Sequence, residues 1–175
     1  VVGSPYCVEY YMVDKHLGGP AALEVARAEL AARGMKLILD WVPNHVATDH
    51  QWARTDPERF ILGTGEDIEA APYDFVDVDG RIIANGRDPF FPPWRDVLQL
   101  NAFNESLREA AVATLRTVAE QCDGVRCDMA MLMLNHVFAR TWGDRAGEAP
   151  DDEYWSVVIS EVRARYPEFV FIAEA

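Results

Sequence analysis

Apolar residues along this chain fall into two alternating patterns, a helical period and short continuous runs. Pro20 to Arg33 reads as an amphipathic helix: Pro20 suits the first turn, Leu23, Ala26, Leu30 and Ala31 share a face, and Gly34 supplies a stop. Met35 to Val42 is an apolar run bounded by Gly34 and Pro43, the pattern of a buried parallel strand. Asn104 can cap a second helix reaching Gln121, with Leu107, Ala111, Leu115 and Val118 turned inward. Gly124 to Cys127 is the next buried strand. Met129 to Trp142 is predicted to be partly helical, and Gly143 to Pro150 a polar turn. Asp151 or Asp152 is then expected to cap a helix that buries Trp155, Val158, Ile159, Val162 and Tyr166 and stops at Pro167. Phe169 to Ala173 is a third buried strand. Helices alternating with buried strands predict an α/β fold with a parallel sheet, whose C-terminal strand ends face the ligand.

The stretch between the first two strands is different. From Val46 to Phe103 no long helical period appears, and five of the chain's ten prolines lie there. A bare connection of that length is improbable in a compact domain, so a small inserted subdomain is expected. Phe75 to Ile83 predicts a hairpin about Asp79-Gly80. The insert's aromatics (Trp52, Phe60, Tyr73, Phe75, Phe90, Phe91 and Trp94) are expected mostly to form its own core. The methionines at 129, 131 and 133 are expected to serve packing.

Composition narrows the function classes. A net charge of −13 over 175 residues argues against nucleic acid or an anionic membrane as partner, since both need clustered Lys and Arg. No apolar run reaches the roughly 18 residues of a membrane span. The chain opens on Val1-Val2 and stops at Ala175 directly after a strand-like run, so both ends are expected to be internal to a longer protein. Cys7, Cys122 and Cys127 cannot all pair with one another, which leans towards a reducing, cytoplasmic compartment. No CxxC or HExxH spacing marks a metal site.

Candidate chemistry lies at the strand ends. Arg126 and Asp128, two residues apart, share one face about 7 Å apart along the strand, so the guanidinium can hold the carboxylate ionised and oriented. Taken alone, the pair reads equally well as a structural ion pair. However, Asp40 and Glu174 also stand at the ends of buried runs. Three acids at equivalent places on neighbouring strands favour a shared cleft. Two carboxyls facing one cleft suit glycosidic cleavage, in which one attacks or stabilises the developing cation while the other delivers a proton to the leaving oxygen.

These residues resemble a known family. Asp40-Trp41-Val42-Pro43-Asn44-His45 resembles the D-x-x-x-N-H signature ending the third barrel strand of the α-amylase family of glycosidases (glycoside hydrolase family 13). Gly124-Val125-Arg126-Cys127-Asp128 resembles its fourth-strand G-x-R-x-D signature, and Phe171-Ile172-Ala173-Glu174 its fifth-strand motif. The resemblance implies a segment of a (β/α)₈ TIM barrel running from the end of strand 2 to strand 5. Residues 1–45 and 104–175 would be barrel segments, and 46–103 an inserted domain B. It further implies a retaining mechanism acting on α-linked glucosides, with Asp128 as nucleophile, Arg126 as its orienting partner and Glu174 as general acid/base. His45 would bind the sugar at the cleavage subsite, Asp40 would support the Arg126–Asp128 pair, and Tyr6 would offer a stacking platform. From the residues alone, His45 and Tyr6 read as readily as packed side chains.

Departures from the pattern limit what carries over. Asn44 matches a calcium-liganding position, but Gln99 stands where many members carry an aspartate. The resemblance therefore gives calcium thin support, and no other cofactor is implied. Met131 and Leu132 occupy positions where many amylases carry Lys and His. The family's transition-state aspartate after strand seven has no counterpart in this chain, so the segment by itself is expected to be inactive, lacking most of the barrel. One alternative is a same-fold glucosyl transferase or isomerase acting on sucrose, maltose or trehalose. A non-catalytic relative fits less well, because such relatives usually lose a carboxylate and both Asp128 and Glu174 are present.

Overall fold

A computed structural model describes residues 3–175. Part of the opening segment, Val1 and Val2, lies outside the described residues. In chain order the elements are α1 (Gly19–Ala31), β1 (Ile38–Trp41), β2 (His45–Ala47), α2 (Trp52–Thr55), α3 (Gly65–Ala70), β3 (Phe75–Val78), β4 (Arg81–Gly86), β5 (Trp94–Gln99), α4 (Glu105–Ala119), β6 (Gly124–Cys127), α5 (Asn135–Trp142), α6 (Tyr154–Arg165) and β7 (Val170–Ala173). The three apolar runs pair in parallel in the order β1-β6-β7, but only the central β6 is buried as expected: Ile38 and Leu39 of β1 are half-buried, and β7 leaves Ile172 and Ala173 exposed. Between β1 and β6 the chain builds an antiparallel sheet in the order β2-β5-β4-β3.

Local chemistry explains most of these elements. Pro20 sits in the first turn of α1, and Gly34 follows the helix at φ 71°. The Asn104 side chain caps α4 by accepting from the Leu107 N–H at 3.0 Å. Between β3 and β4, Asp79 and Gly80 both take positive φ, 53° and 84°, which matches the twist of a two-residue hairpin. Gly124 has a steric cause instead: a Cβ there would stand 2.5 Å from the Val170 carbonyl oxygen on β7.

Helix α4 ties the two sheets together. Its Leu107 packs with Val46, Phe60, Ile83, Leu98 and Leu100 under the antiparallel sheet. Its Ala111, Leu115 and Val118 join Val125, Val158 and Val162 in the core behind the parallel sheet.

Three further expectations need correcting. The face expected on α1 is not buried: Leu23 and Leu30 are half-buried, and Ala26 and Ala31 are exposed. The helix is instead docked by Arg27, which reaches Asp123 at 2.7 Å and the Glu120 carbonyl at 2.9 Å. Neither Asp151 nor Asp152 caps α6. Glu153 holds the cap position, and its carboxylate accepts from the Asn135 N–H at 2.9 Å, binding the start of α5. Among the insert's aromatics, Phe60 and Phe75 are core, whereas Tyr73, Phe90 and Phe91 are exposed.

Candidate active site

The parallel sheet delivers its charged residues to one end. The Asp128 N–H donates to the Trp41 carbonyl at 2.8 Å, and the Glu174 N–H to the Cys127 carbonyl at 3.0 Å. Asp128 and Glu174 therefore stand side by side, each one residue past its strand. Asp40 is not at an equivalent place. Strand pairing sets it opposite Arg126, one side-chain layer lower on the same face. The apolar run of β1 continues through Trp41 and Val42 after its acid, whereas β6 and β7 end at theirs.

Arg126 is the hub of the site. Its Nη1 donates to Asp40 Oδ1 at 2.7 Å and to Asp128 Oδ1 at 3.2 Å, and its Nη2 approaches Glu174 Oε1 at 2.5 Å. The Tyr6 hydroxyl accepts from the same Nη1 at 3.3 Å, and the Tyr6 ring lies 5.5 Å from the guanidinium. Hydrogen bonding to Asp40, more than anything else, holds the Arg126 charge.

The two carboxyls are driven apart in proton affinity. Burial, then the neighbouring Glu174 charge, pushes Asp128 up to about 6, and Arg126 only partly offsets them. Glu174 moves the other way, chiefly because the Met129 N–H donates to its Oε2 at 2.9 Å. Arg126 thus offsets only part of the upward push, and Asp128, the more buried of the two, still gives up its proton as pH rises through about 6.

His45 is buried and neutral, burial lowering it to about 4. Its ring packs 5.2 Å from Trp94 and lies close enough to the Tyr6 backbone to feel it, next to the segment that carries Tyr6. Asn44 Nδ2 lies 3.3 Å from His45 Nδ1, and the side chain forms a buried amide pair with Gln99. Gln99 Nε2 donates to Asn44 Oδ1 at 2.9 Å, to the Asn44 carbonyl at 3.0 Å and to the Leu100 carbonyl at 3.0 Å. In return Asn44 Nδ2 donates to Gln99 Oε1 at 3.2 Å.

Two contributors were not legible as site residues. Met129 takes a left-handed backbone, φ 45°, which aims its N–H at Glu174. No sequence signal marks it, since methionine is not a residue that favours that conformation. The Tyr11 hydroxyl accepts from the Val42 N–H at 2.9 Å and donates to the Val42 carbonyl at 3.3 Å, anchoring the Tyr6 segment to the end of β1. The clustering of Tyr6, Tyr10 and Tyr11 is the signal in the sequence that points to it.

A family model described as "Alpha amylase, catalytic domain" matches residues 6–97, more than half of the chain. This chain belongs to the alpha-amylase family. The matched stretch holds Asp40 to His45 and ends before Arg126. Solved structures extend the likeness over the rest. An alpha-amylase from Lactobacillus plantarum is 26% identical, with a TM-score of 0.70 over 100% of this chain and 33% of its own. A noncanonic maltogenic alpha-amylase from Thermotoga neapolitana is 21% identical, with a TM-score of 0.61 over 99% of this chain and 34% of its own. A cyclic alpha-maltosyl-(1→6)-maltose hydrolase from Arthrobacter globiformis is likewise 21% identical, with a TM-score of 0.62 over 97% and 34%. No curated protein matches. The chain thus spans about a third of the length of these alpha-amylase family structures, as a mixed α/β segment with parallel and antiparallel sheets.

Calcium, which the family resemblance raised, does not suit the residues found here. A hard cation wants several oxygen ligands, preferably charged. At this position the Asn44 side chain is committed to Gln99, and Gln99 points its own N–H donors at the available oxygens. Among the described residues no group of three or more His, Cys, Asp or Glu is placed to hold a metal ion.

Proposed function

We propose that the intact protein cleaves or transfers α-glucosidic bonds by a retaining double displacement. In this reading β1, β6 and β7 are the third, fourth and fifth strands of a (β/α)₈ barrel. Residues 46–103 are the inserted domain, flanked by barrel segments 1–45 and 104–175. Glu174 protonates the glycosidic oxygen as an Asp128 oxygen attacks the anomeric carbon, so that the C1–O bond breaks and a glucosyl ester forms. Glu174 then takes a proton from the incoming water or alcohol, which displaces Asp128. Hydrolysis and transfer share the ester and part only at the acceptor.

One observation carries this reading: Asp128 and Glu174 stand just past the ends of adjacent parallel strands and both contact the Arg126 guanidinium. Retention calls for two carboxyls about 5–5.5 Å apart, which neighbouring barrel strands can provide. The proton must sit on Glu174 when Asp128 attacks. A sugar ring covering the more exposed Glu174 strips its solvent and raises its proton affinity, so that it can hold the proton it delivers. Neutral His45 and the ring of Tyr6 are assigned to sugar binding, and Asp40 to bracing Arg126.

A fluorinated glucosyl trap followed by peptide mapping of the intact protein should place the label on Asp128. Label on another residue would remove the assignment. The segment alone, lacking most of the barrel, should not turn over an aryl α-glucoside.

A further inference from the structure

A cavity of about 300 Å³ that the catalytic reading leaves unused shares Met129 with the candidate site. Met129, Met131, Leu132 and Val137 wall one side, and Pro89, Phe90 and Phe91 the other. Met129 follows Asp128 in the chain and its N–H holds Glu174, so this wall adjoins both carboxyls through one residue. Phe90 and Phe91 are 80% and 69% exposed, an unusual amount of bare aromatic surface for a rigid turn. Rigid it is: buried Asp88 accepts from the Phe90 N–H at 2.6 Å and the Phe91 N–H at 3.0 Å. The Arg87 N–H in turn donates to Gln99 Oε1 at 3.3 Å, seating the turn on the buried amide pair. The aromatic tip is thus fixed in place opposite two flexible, polarisable methionines. The cavity is largely apolar, with Asp88 already committed to the turn amides and His136 and Arg140 also among its lining residues.

We propose that this cavity receives the leaving group and selects an apolar one, an aryl or alkyl alcohol rather than another sugar. The proposal rests on the glycosidase reading, because Glu174 must be the group that protonates the departing oxygen. A sugar carries several hydroxyls that would lose water here and find few partners in the methionine and phenylalanine walls. A phenyl or alkyl chain loses nothing comparable and gains contact with those walls.

Benzyl and methyl α-glucosides test this in the intact protein, since their alcohols leave with nearly equal basicity and differ in apolar surface. Benzyl should be favoured in kcat/KM roughly tenfold to a hundredfold. Phe90→Ala and Met131→Lys should each pull that ratio towards one. Phe90 is solvent-exposed, so its removal should not threaten folding. Equal kcat/KM for the two glucosides, or a ratio unmoved by both variants, would overturn the proposal. Turnover of neither glucoside would remove the glycosidase reading, and the assignment of the cavity to a leaving group with it. Benzyl alcohol titrated by NMR then judges the cavity on its own. Saturable binding lost in Phe90→Ala upholds an apolar alcohol site, and absence of saturable binding refutes it.

Discussion

Asp40 and Arg126 occupy paired positions on β1 and β6 and are joined by a 2.7 Å salt bridge. This contact anchors the guanidinium that Asp128 and Glu174 share, and Asp40 itself adds a small upward push to Asp128. Asp40 and Arg126 therefore act on the proton affinity of Asp128 in opposite senses.

Removing either partner should shift the acidic limb of the pH dependence of kcat/KM. In Asp40→Asn the limb should move to lower pH, because a negative charge near Asp128 is lost and Arg126 is freed to serve it. In Arg126→Gln it should move to higher pH. We expect either change to lower kcat by about a hundredfold or more, through lost positioning. Limbs that move together, or not at all, would show that the two residues are only structural.

A second prediction concerns stability. Asp128 has a raised affinity for its proton in the fold. Its contribution is complete below the unfolded value of about 3.9 and is lost as pH rises through about 6. Asparagine stays neutral throughout. Asp128→Asn should therefore gain in melting temperature over the parent protein between about pH 4 and pH 6, and hold that gain above it. A difference that is flat with pH would contradict the burial-driven shift.

How much of this was legible in the sequence depends on the range of the interactions involved. The three parallel strands, the Asp79-Gly80 hairpin and the Asn104 cap follow from local signals, namely bounding Gly and Pro, a turn dipeptide and a capping side chain. Pairing register does not. Asp40 falls beside Arg126 rather than beside Asp128 because the sheet fixes where β1 lies against β6, and no residue in Met35 to Val42 encodes that. The exposed face of α1 and the failed cap at Asp151 and Asp152 share one cause: long-range partners overrode local preference. Arg126 and Asp128 were legible as a pair, but the direction of the Asp128 shift was not, because it needs burial and Glu174 together.

The buried amide pair gives a third prediction. Gln99→Leu would strand the Asn44 carboxamide oxygen and the Leu100 carbonyl, costing about 3 kcal/mol in chemical denaturation. Chelator should leave the melting temperature of the parent protein within about 1 °C, since a metal stabilises a fold only by binding it. A large drop in EDTA, restored by calcium, would overturn the reading of this pair as a metal-free staple.

Gly124 supplies a fourth. Alanine there would push its methyl to 2.5 Å from the Val170 carbonyl oxygen, a backbone atom that cannot step aside without parting β6 from β7. Gly124→Ala should cost about 1–3 kcal/mol and reduce turnover as well, because Glu174 rides on β7. A variant as stable and as active as the parent would show that the strands yield more easily than the contact implies.

The grip of Tyr11 on both backbone polar groups of Val42 makes one amide hydrogen a spectator of the whole cleft. That N–H is shielded only while the tyrosine segment lies against the end of β1. Its exchange with deuterium would thus clock how often Tyr6 lifts away from Arg126, and a bound sugar should slow that clock without touching Val42 at all.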